Sequence, residues 1–370
     1  MSRPSRARID LAALRHNYLA ARRLHGGRAV AVLKANAYGH GAVVCARALE
    51  SISDAFGVAF VAEAQELCEA GIRTPILVLE GAFTPTELER AHQLGLWLVV
   101  HHEEQLRMIE RAPTNCSRLN VWLKIDSGMR RAGVPLAQAK NFHARLLTTG
   151  RVASITLMSH LARADEPRAE ATRMQIEEFD AATAGLPGPR SLANSAAILA
   201  WPSARRDWAR PGIVLYSVDP TGESQLDWRA VMTLISEVFA ERLLAPGEAM
   251  GYGGSFVAEQ ATRVGLVALG YGDGYPARAS TGTPVAVDDR RTRVIGRVSM
   301  DMLAVDLSEL PEAGVGSRVE LWGANVRVAE VAAHAGLLTY EILCNVKRVP
   351  FDYIEAANSA TETGDRRART

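Results

Sequence analysis

Only four cysteines occur, Cys45, Cys68, Cys116 and Cys344, and no two of them form a CxxC pair. Their scatter excludes a disulfide-framed scaffold and a thiolate metal site, and fits thiols kept reduced in a cytoplasmic setting. No other metal-ligand set stands out. No apolar run approaches the roughly 20 residues that a membrane span needs. The N-terminal "MSRPSRARIDL" is basic with no apolar core behind it, so it does not read as a secretory signal. A formal net charge of +1 provides no broad field for nucleic acid or an anionic membrane. No GxGxxG follows the first strand-like run, which removes support for a dinucleotide fold.

What is present is a rhythm. Near-continuous apolar runs occur at 29–34, 55–60, 75–80, 97–102, 120–126, 154–161 and 191–195, with a short one ending at 208–212. Such runs suit parallel strands covered on both faces. Amphipathic helical patterns lie between them, at 61–71, at 84–95 and, longest, at 167–185. In the second of these, Thr84 reads as the N-cap, Pro85 as the first turn and Gly95 as the stop. Eight strand–helix repeats in about 200 residues predict a (β/α)8 barrel. After about residue 232 the pattern turns to strands broken by glycine-rich turns, with one helix at 326–336. The expected division is a barrel over 11–232 and a mainly β domain over 233–370, joined by the N-terminal strand 1–10. The polar tail 359–370 is expected to fray.

In such barrels chemistry collects at the C-terminal strand ends. Lys34 ends the first strand, His160 the sixth, Asn194 and Ser195 the seventh, Arg210 and Gly212 the eighth. A phosphate site after strands seven and eight is common in this architecture; here Ser195 and the backbone N–H groups of Gly212 and Ile213 could form one. Phosphate plus a strand-end lysine suggests an aldehyde cofactor held as a Schiff base, for which pyridoxal 5'-phosphate (PLP) is the match. On these residues alone a sugar-phosphate barrel enzyme stays open.

The segment "AVLKANAYGHG" resembles the PLP-lysine segment of bacterial alanine racemases. "KIDSGMRRAG", "MSHLARADE", "LANSAAIL", "ARPGIVLYS", "GYGGSF", "GYGDGYP" and "VSMDM" are similar to that family's other segments, in the same order and over nearly the whole chain. The resemblance implies interconversion of L- and D-alanine on PLP by two bases, in a cytoplasmic head-to-tail homodimer. The family supplies D-alanine for the cell wall or catabolises it. Lys34 would carry the cofactor and act on one face of the substrate. Tyr252, from the partner subunit, would act on the other. Tyr38 would reach the phosphate, Arg210 the pyridine nitrogen, and His160 would order the ring or Arg210. Arg131 and the backbone at Met300 would hold the substrate carboxylate. Lys124 would be carbamylated and steady Arg131. Lys347 stands where many relatives have a tyrosine, which suggests room for a larger side chain such as serine's. A serine or broader-specificity racemase is the alternative. More remote are a PLP decarboxylase of the same fold and a non-enzymatic PLP-binding protein.

Overall fold

The computed structural model describes residues 3–355. The tail 359–370 therefore lies outside the described residues. The chain forms two compact units. One runs from His16 to Arg229; the other joins the N-terminal residues up to Arg15 to those from Ala230 onward.

The chain opens with β1 (Arg6–Asp10), which belongs to the second unit. The first unit is an α/β barrel. Its strands are β2 (Arg28–Val32), β3 (Ala55–Val58), β4 (Ile76–Val78), β5 (Trp97–Val100), β6 (Leu119–Asp126), β8 (Val152–Met158), β9 (Arg190–Ser191) and β10 (Trp208–Ala209), while β7 (Val134–Pro135) pairs onto β6 outside the ring. The ring strands pair in parallel in the order β10-β2-β3-β4-β5-β6-β8-β9. The remaining join is one parallel bridge between Asn194 and Arg210, so the barrel is nearly closed. All eight expected strands are present; β6 is one residue longer than its apolar run, the others are shorter, and β9 and β10 keep only two residues each.

The helices begin where the side chains dictate. Thr84 accepts from Glu87 N–H at 3.1 Å and caps Pro85–Gln93, as its position suggested. The helices at Ala42–Leu49, Glu103–Arg111 and Ala139–Thr148 were not anticipated.

The ring interior is filled by wide side chains. Trp97, Trp122 and Trp208 meet with ring centroids 5.6–6.1 Å apart. Val30, Ala55, Leu77, Val99 and Met158 surround them. The Arg28 guanidinium lies 4.1 Å over the Trp208 ring, a favourable cation–π contact.

The second unit is mainly β. It comprises β1 with β11 (Met232–Leu244), β12 (Ala249–Met250), β13 (Phe256–Val257), β14 (Thr262–Val267), β15 (Pro284–Val287), β16 (Arg290–Ile295), β17 (Leu303–Asp306), β18 (Arg318–Trp322) and β19 (Phe351–Ile354). Eight of these form a sheet in the order β14-β17-β16-β15-β18-β11-β1-β19; β11 also pairs β14 beyond an irregularity at Val238/Ala240, which curls the sheet on itself. β12 and β13 form a separate two-stranded ribbon. β1 lies antiparallel to β11 and parallel to β19. One helix was expected here; there are two, Val328–Ala335 and Thr339–Cys344. The second has only six residues, too short for its apolar period to stand out, and is anchored by buried Ile342 and Leu343.

Replacing buried Trp122 should open a cavity that its two tryptophan neighbours cannot fill. Trp122→Ala should destabilise the barrel by about 3–5 kcal/mol. Urea unfolding followed by tryptophan fluorescence measures it, and a change near zero would show that the cluster does not support the barrel.

Candidate active site

β2 delivers Lys34 to the rim. Leu33 N–H donates to Gly57 O at 2.7 Å, which keeps the chain registered on β3 until that point. The next four residues, Ala35, Asn36, Ala37 and Tyr38, all have φ between 51° and 53°. The segment after Lys34 is thus a left-handed helical turn built without glycine. L-residues resist this conformation by about 1–2 kcal/mol each. Its hydrogen bonds include Ala37 N–H to Leu33 O at 2.7 Å and Gly41 N–H to Asn36 O at 3.0 Å. The Asn36 side chain accepts from Ala42 N–H at 2.8 Å.

The turn buries Tyr38 and aims its hydroxyl at the strand-eight loop. A Cβ added to Gly212 would lie 2.6 Å from that oxygen, so glycine is needed there to admit it. Ser195 Oγ accepts from Gly212 N–H at 2.9 Å and from Val214 N–H at 3.4 Å. Asn194 caps the short helix that Ser195 begins, accepting from Ala197 N–H at 3.0 Å. Tyr38, Ser195, Gly212 and Ile213 therefore lie along one strand-end loop cluster, with the Gly212 N–H turned to Ser195.

Arg210 is buried beside them. It donates to Ser191 Oγ at 2.5 Å and to Ser159 O at 2.7 Å, and one of its nitrogens lies 3.4 Å from His160 Nδ1. Among the described residues no carboxylate pairs with it. Burial draws its pKa down to about 10, which leaves it charged at neutral pH. His160 is held well below its ordinary pKa by burial, and then by the charges of Arg210, Lys124, Arg131 and Lys34. A neutral His160 can offer Arg210 its Nδ1 lone pair. Ser191 opens the apolar run 191–195 and Ser195 closes it, and nothing local in that run says which serine meets Arg210.

Lys124 is buried on β6. Burial drives its pKa down to about 8; Glu80 opposes this, while Arg210, Arg131 and Lys34 reinforce it. It makes no ion pair among the described residues. Asp126, two residues on, instead turns an oxygen to the N–H groups of Gly128 and Arg130, at 2.9 and 3.0 Å. That folds the loop carrying exposed Arg131. Lys34, Lys124, Arg131, His160 and Arg210 thus share one electrostatic field within the barrel unit.

Tyr252, Met300 and Lys347 belong to the other unit. Tyr252 lies between Gly251 and Gly253, both at positive φ, at the tip of the β12–β13 ribbon, and is 71% exposed. Met300 is also exposed; its carbonyl accepts from Gly272 N–H at 2.8 Å. Lys347 lines a cleft of about 300 Å3 together with Tyr271, Tyr275, Arg278, Glu341 and Asn345. Its backbone N–H donates to Asp273 O at 2.8 Å.

A barrel with a lysine on strand one, an anion-seeking loop after strands seven and eight, and an appended β unit defines a class: cofactor-dependent enzymes that hold an aldehyde cofactor by a lysine. Residues 9–220 match the alanine racemase N-terminal domain and residues 231–353 the C-terminal domain. The chain belongs to the alanine racemase family. It is 59% identical to the alanine racemase of Aromatoleum aromaticum over 95% of this chain and 99% of that one. It is similar to the crystal structure of the biosynthetic alanine racemase of Pseudomonas aeruginosa, with a TM-score of 0.92 and 46% identity over 96% of this chain and all of the other. A Bartonella henselae alanine racemase structure with covalently bound pyridoxal phosphate has a TM-score of 0.87 and 27% identity, over 95% of this chain and all of that one.

Gly212→Ala should force the Tyr38 hydroxyl out of its place. A clash between a new methyl and a packed side chain costs about 1–3 kcal/mol. Thermal or urea denaturation of the variant checks this; unchanged stability would mean that Tyr38 moves aside freely.

Proposed function

We propose that this chain interconverts L- and D-alanine with PLP held covalently on Lys34, as a homodimer in the cytoplasm. The observation that carries this reading is Lys34 at a strand end, acting on the same His160 and Lys124 as a buried guanidinium, Arg210, that no carboxylate neutralises among the described residues. The residues fit the cofactor. The Tyr38 hydroxyl, the Ser195 hydroxyl and the Ile213 backbone line a polar cradle suited to a phosphate, with Gly212 N–H taken by Ser195 Oγ. Arg210 offers a buried, charged N–H donor suited to a ring nitrogen.

When bound, PLP withdraws electrons from the substrate's α-carbon and so eases loss of its proton. The remaining work belongs to the chain. Arg131 and the backbone at Met300 hold the substrate carboxylate, and the planar guanidinium suits a two-point grip. The Lys34 amine takes or returns a proton on one face of the α-carbon. The Tyr252 hydroxyl does so on the opposite face, which one base cannot reach. Arg210 donates and cannot accept a proton, so it holds the ring without acting as an acid–base group. His160, kept neutral, steadies Arg210.

Two features support placing Tyr252 at the site of a second subunit. It is exposed, and it stands at a ribbon tip in the unit that does not contain Lys34. Two copies that each lend a tyrosine would complete two sites. The cytoplasmic setting rests on the four free cysteines and on the absence, among the described residues, of a helix long and apolar enough to cross a membrane.

Lys124 has a physical motive for carbamylation. A pKa near 8 supplies neutral amine at working pH. The carbamate would replace a positive charge by a negative one among Arg131, Arg210 and Lys34, turning repulsion into attraction.

Three measurements test this reading. Borohydride reduction of the purified protein followed by peptide mapping should place the pyridoxyl group on Lys34; a label on Lys124 or Lys347 would sink the assignment. Mixing Lys34→Ala with Tyr252→Phe should restore racemisation, up to about half of wild-type activity per heterodimer by site counting. No recovery after verified chain exchange would mean that each site is built within one chain. Equilibration with 13C-bicarbonate should give a carbamate carbon signal that Lys124→Ala loses, and a signal retained in that variant would assign the carbamate elsewhere.

A further inference from the structure

The left-handed turn between Lys34 and Tyr38 is gripped on both sides by side chains with no role in the chemistry above. On one side stands Glu63, from the helix Val61–Glu69 of the next strand–helix repeat. Its Oε1 accepts from Ala35 N–H at 2.7 Å. Its Oε2 accepts from Ala59 N–H at 2.6 Å and from Phe60 N–H at 3.3 Å. One carboxylate thus ties the start of the turn to the end of the neighbouring strand.

On the other side stands His40, with no exposed surface. Its Nδ1 lies 3.0 Å from Ala37 O and 2.9 Å from Tyr38 O. Both are carbonyl oxygens and can only accept, so Nδ1 carries the hydrogen. Nε2 is buried without a partner among the described residues, which suits a bare lone pair better than a second N–H. Burial agrees, lowering the imidazole pKa to about 4. The His40 ring packs at a tilt against Tyr216, 4.5 Å between centroids, and the Tyr216 ring lies 4.8 Å from that of Tyr38. The Tyr216 hydroxyl donates to Val32 O at 3.0 Å, on the strand that carries Lys34.

We infer that Glu63 and His40 are positioning residues: a two-sided clamp that holds the strained turn in place before the cofactor arrives, so that Lys34 and Tyr38 face it together. This rests on the reading that Lys34 carries PLP and Tyr38 meets its phosphate. Without the clamp, the four residues relax toward right-handed or extended backbone, and PLP must restore the turn from its own binding energy. A site fixed in advance binds tighter because less ordering remains to be done on binding.

The test uses the full-length protein freed of PLP, and three variants. Glu63→Gln sets an amide where one N–H must now face another. His40→Leu removes the Nδ1 donor at similar volume. His40→Asn keeps an N–H donor near the Nδ1 position. PLP affinity is measured by absorbance titration, and backbone opening by hydrogen exchange of the peptide spanning residues 33–42. The expected result is a dissociation constant for PLP raised about ten-fold or more in Glu63→Gln and His40→Leu. Exchange should be faster in that peptide and unchanged in the peptide spanning β6. His40→Asn should recover most of the affinity. Wild-type affinity and exchange in both Glu63→Gln and His40→Leu would overturn the clamp, as would a His40→Asn no better than His40→Leu. If His40→Leu does not fold, Glu63→Gln decides by the same two readouts. A wild-type protein that takes up no PLP on Lys34 would fail the site reading instead, and the exchange measurement would still decide whether the clamp exists.

Discussion

A guanidinium buried without a carboxylate is the constraint around which the barrel rim is arranged. Removing a charge from water costs several kcal/mol unless polar groups replace the lost hydration. Arg210 meets that demand with neutral acceptors: Ser191 Oγ, Ser159 O and, at 3.4 Å each, Leu192 O and His160 Nδ1. These come from the ends of β8 and β9. The backbone of the same residue bridges Asn194 and donates to Ala193 O at 2.8 Å, which makes the last join of the ring. Closing the barrel and burying the cation are therefore a single event. A change that loosens β9 against β10 disturbs the site, however far it lies from Lys34.

The charge then sorts its neighbours. Two like charges about 5 Å apart repel by about 3 kcal/mol at the effective dielectric of a protein surface. Burial lowers both neighbours first and the charge of Arg210 adds to it: His160 falls well below its usual pKa and Lys124 falls to about 8. Arg210 cannot follow, since its pKa of about 10 still leaves it protonated at neutral pH. The result is a rim with a fixed positive charge and adjustable neighbours. That is a suitable receptor for molecules carrying a phosphate and a carboxylate. It also distinguishes this site from one with a carboxylate at the same place, which would hold or pass a proton; a guanidinium can only donate.

The parts of this arrangement that were legible in the sequence are those carried by composition along short segments. Eight apolar runs gave the eight strands. Thr84, Pro85 and Gly95 announced a helix because capping is local. Lys34, His160, Ser195 and Arg210 stood out because a polar residue closing an apolar run is visible in one dimension. Of the clamp partners, Glu63 did not stand out. Glu63 reads as an ordinary solvent-facing residue of an amphipathic helix, and nothing local says that its carboxylate reaches Ala35. Ser191 is one of several serines near a strand end, and its tie to Arg210 crosses 19 residues of chain. The left-handed turn was hidden for a different reason. Ala-Asn-Ala-Tyr has no glycine, and local preference argues against the conformation it adopts. Tertiary contacts overrule propensity there, and single-segment patterns cannot register them.

That override has a magnitude. At about 1–2 kcal/mol per residue, four left-handed residues store about 4–8 kcal/mol, a sum comparable with the whole stability of many domains, about 5–15 kcal/mol. No single hydrogen bond offsets it, since each contributes about 0.5–1.5 kcal/mol net, or about 1.5–3 when one partner is charged. The observed set is of the right size collectively. The Glu63 carboxylate takes three N–H groups, His40 takes two carbonyls, Asn36 takes Ala42 N–H, and a buried cluster of the Tyr38, Tyr216 and His40 rings adds packing. His40 and Asn36 belong to the turn segment itself, Glu63 to the next strand–helix repeat and Tyr216 to the loop after β10. The local bonds alone fall short of that cost, so the turn also draws on Glu63 and Tyr216 from elsewhere in the barrel unit. Lys34 gains its setting from the assembled barrel rather than from the segment around it.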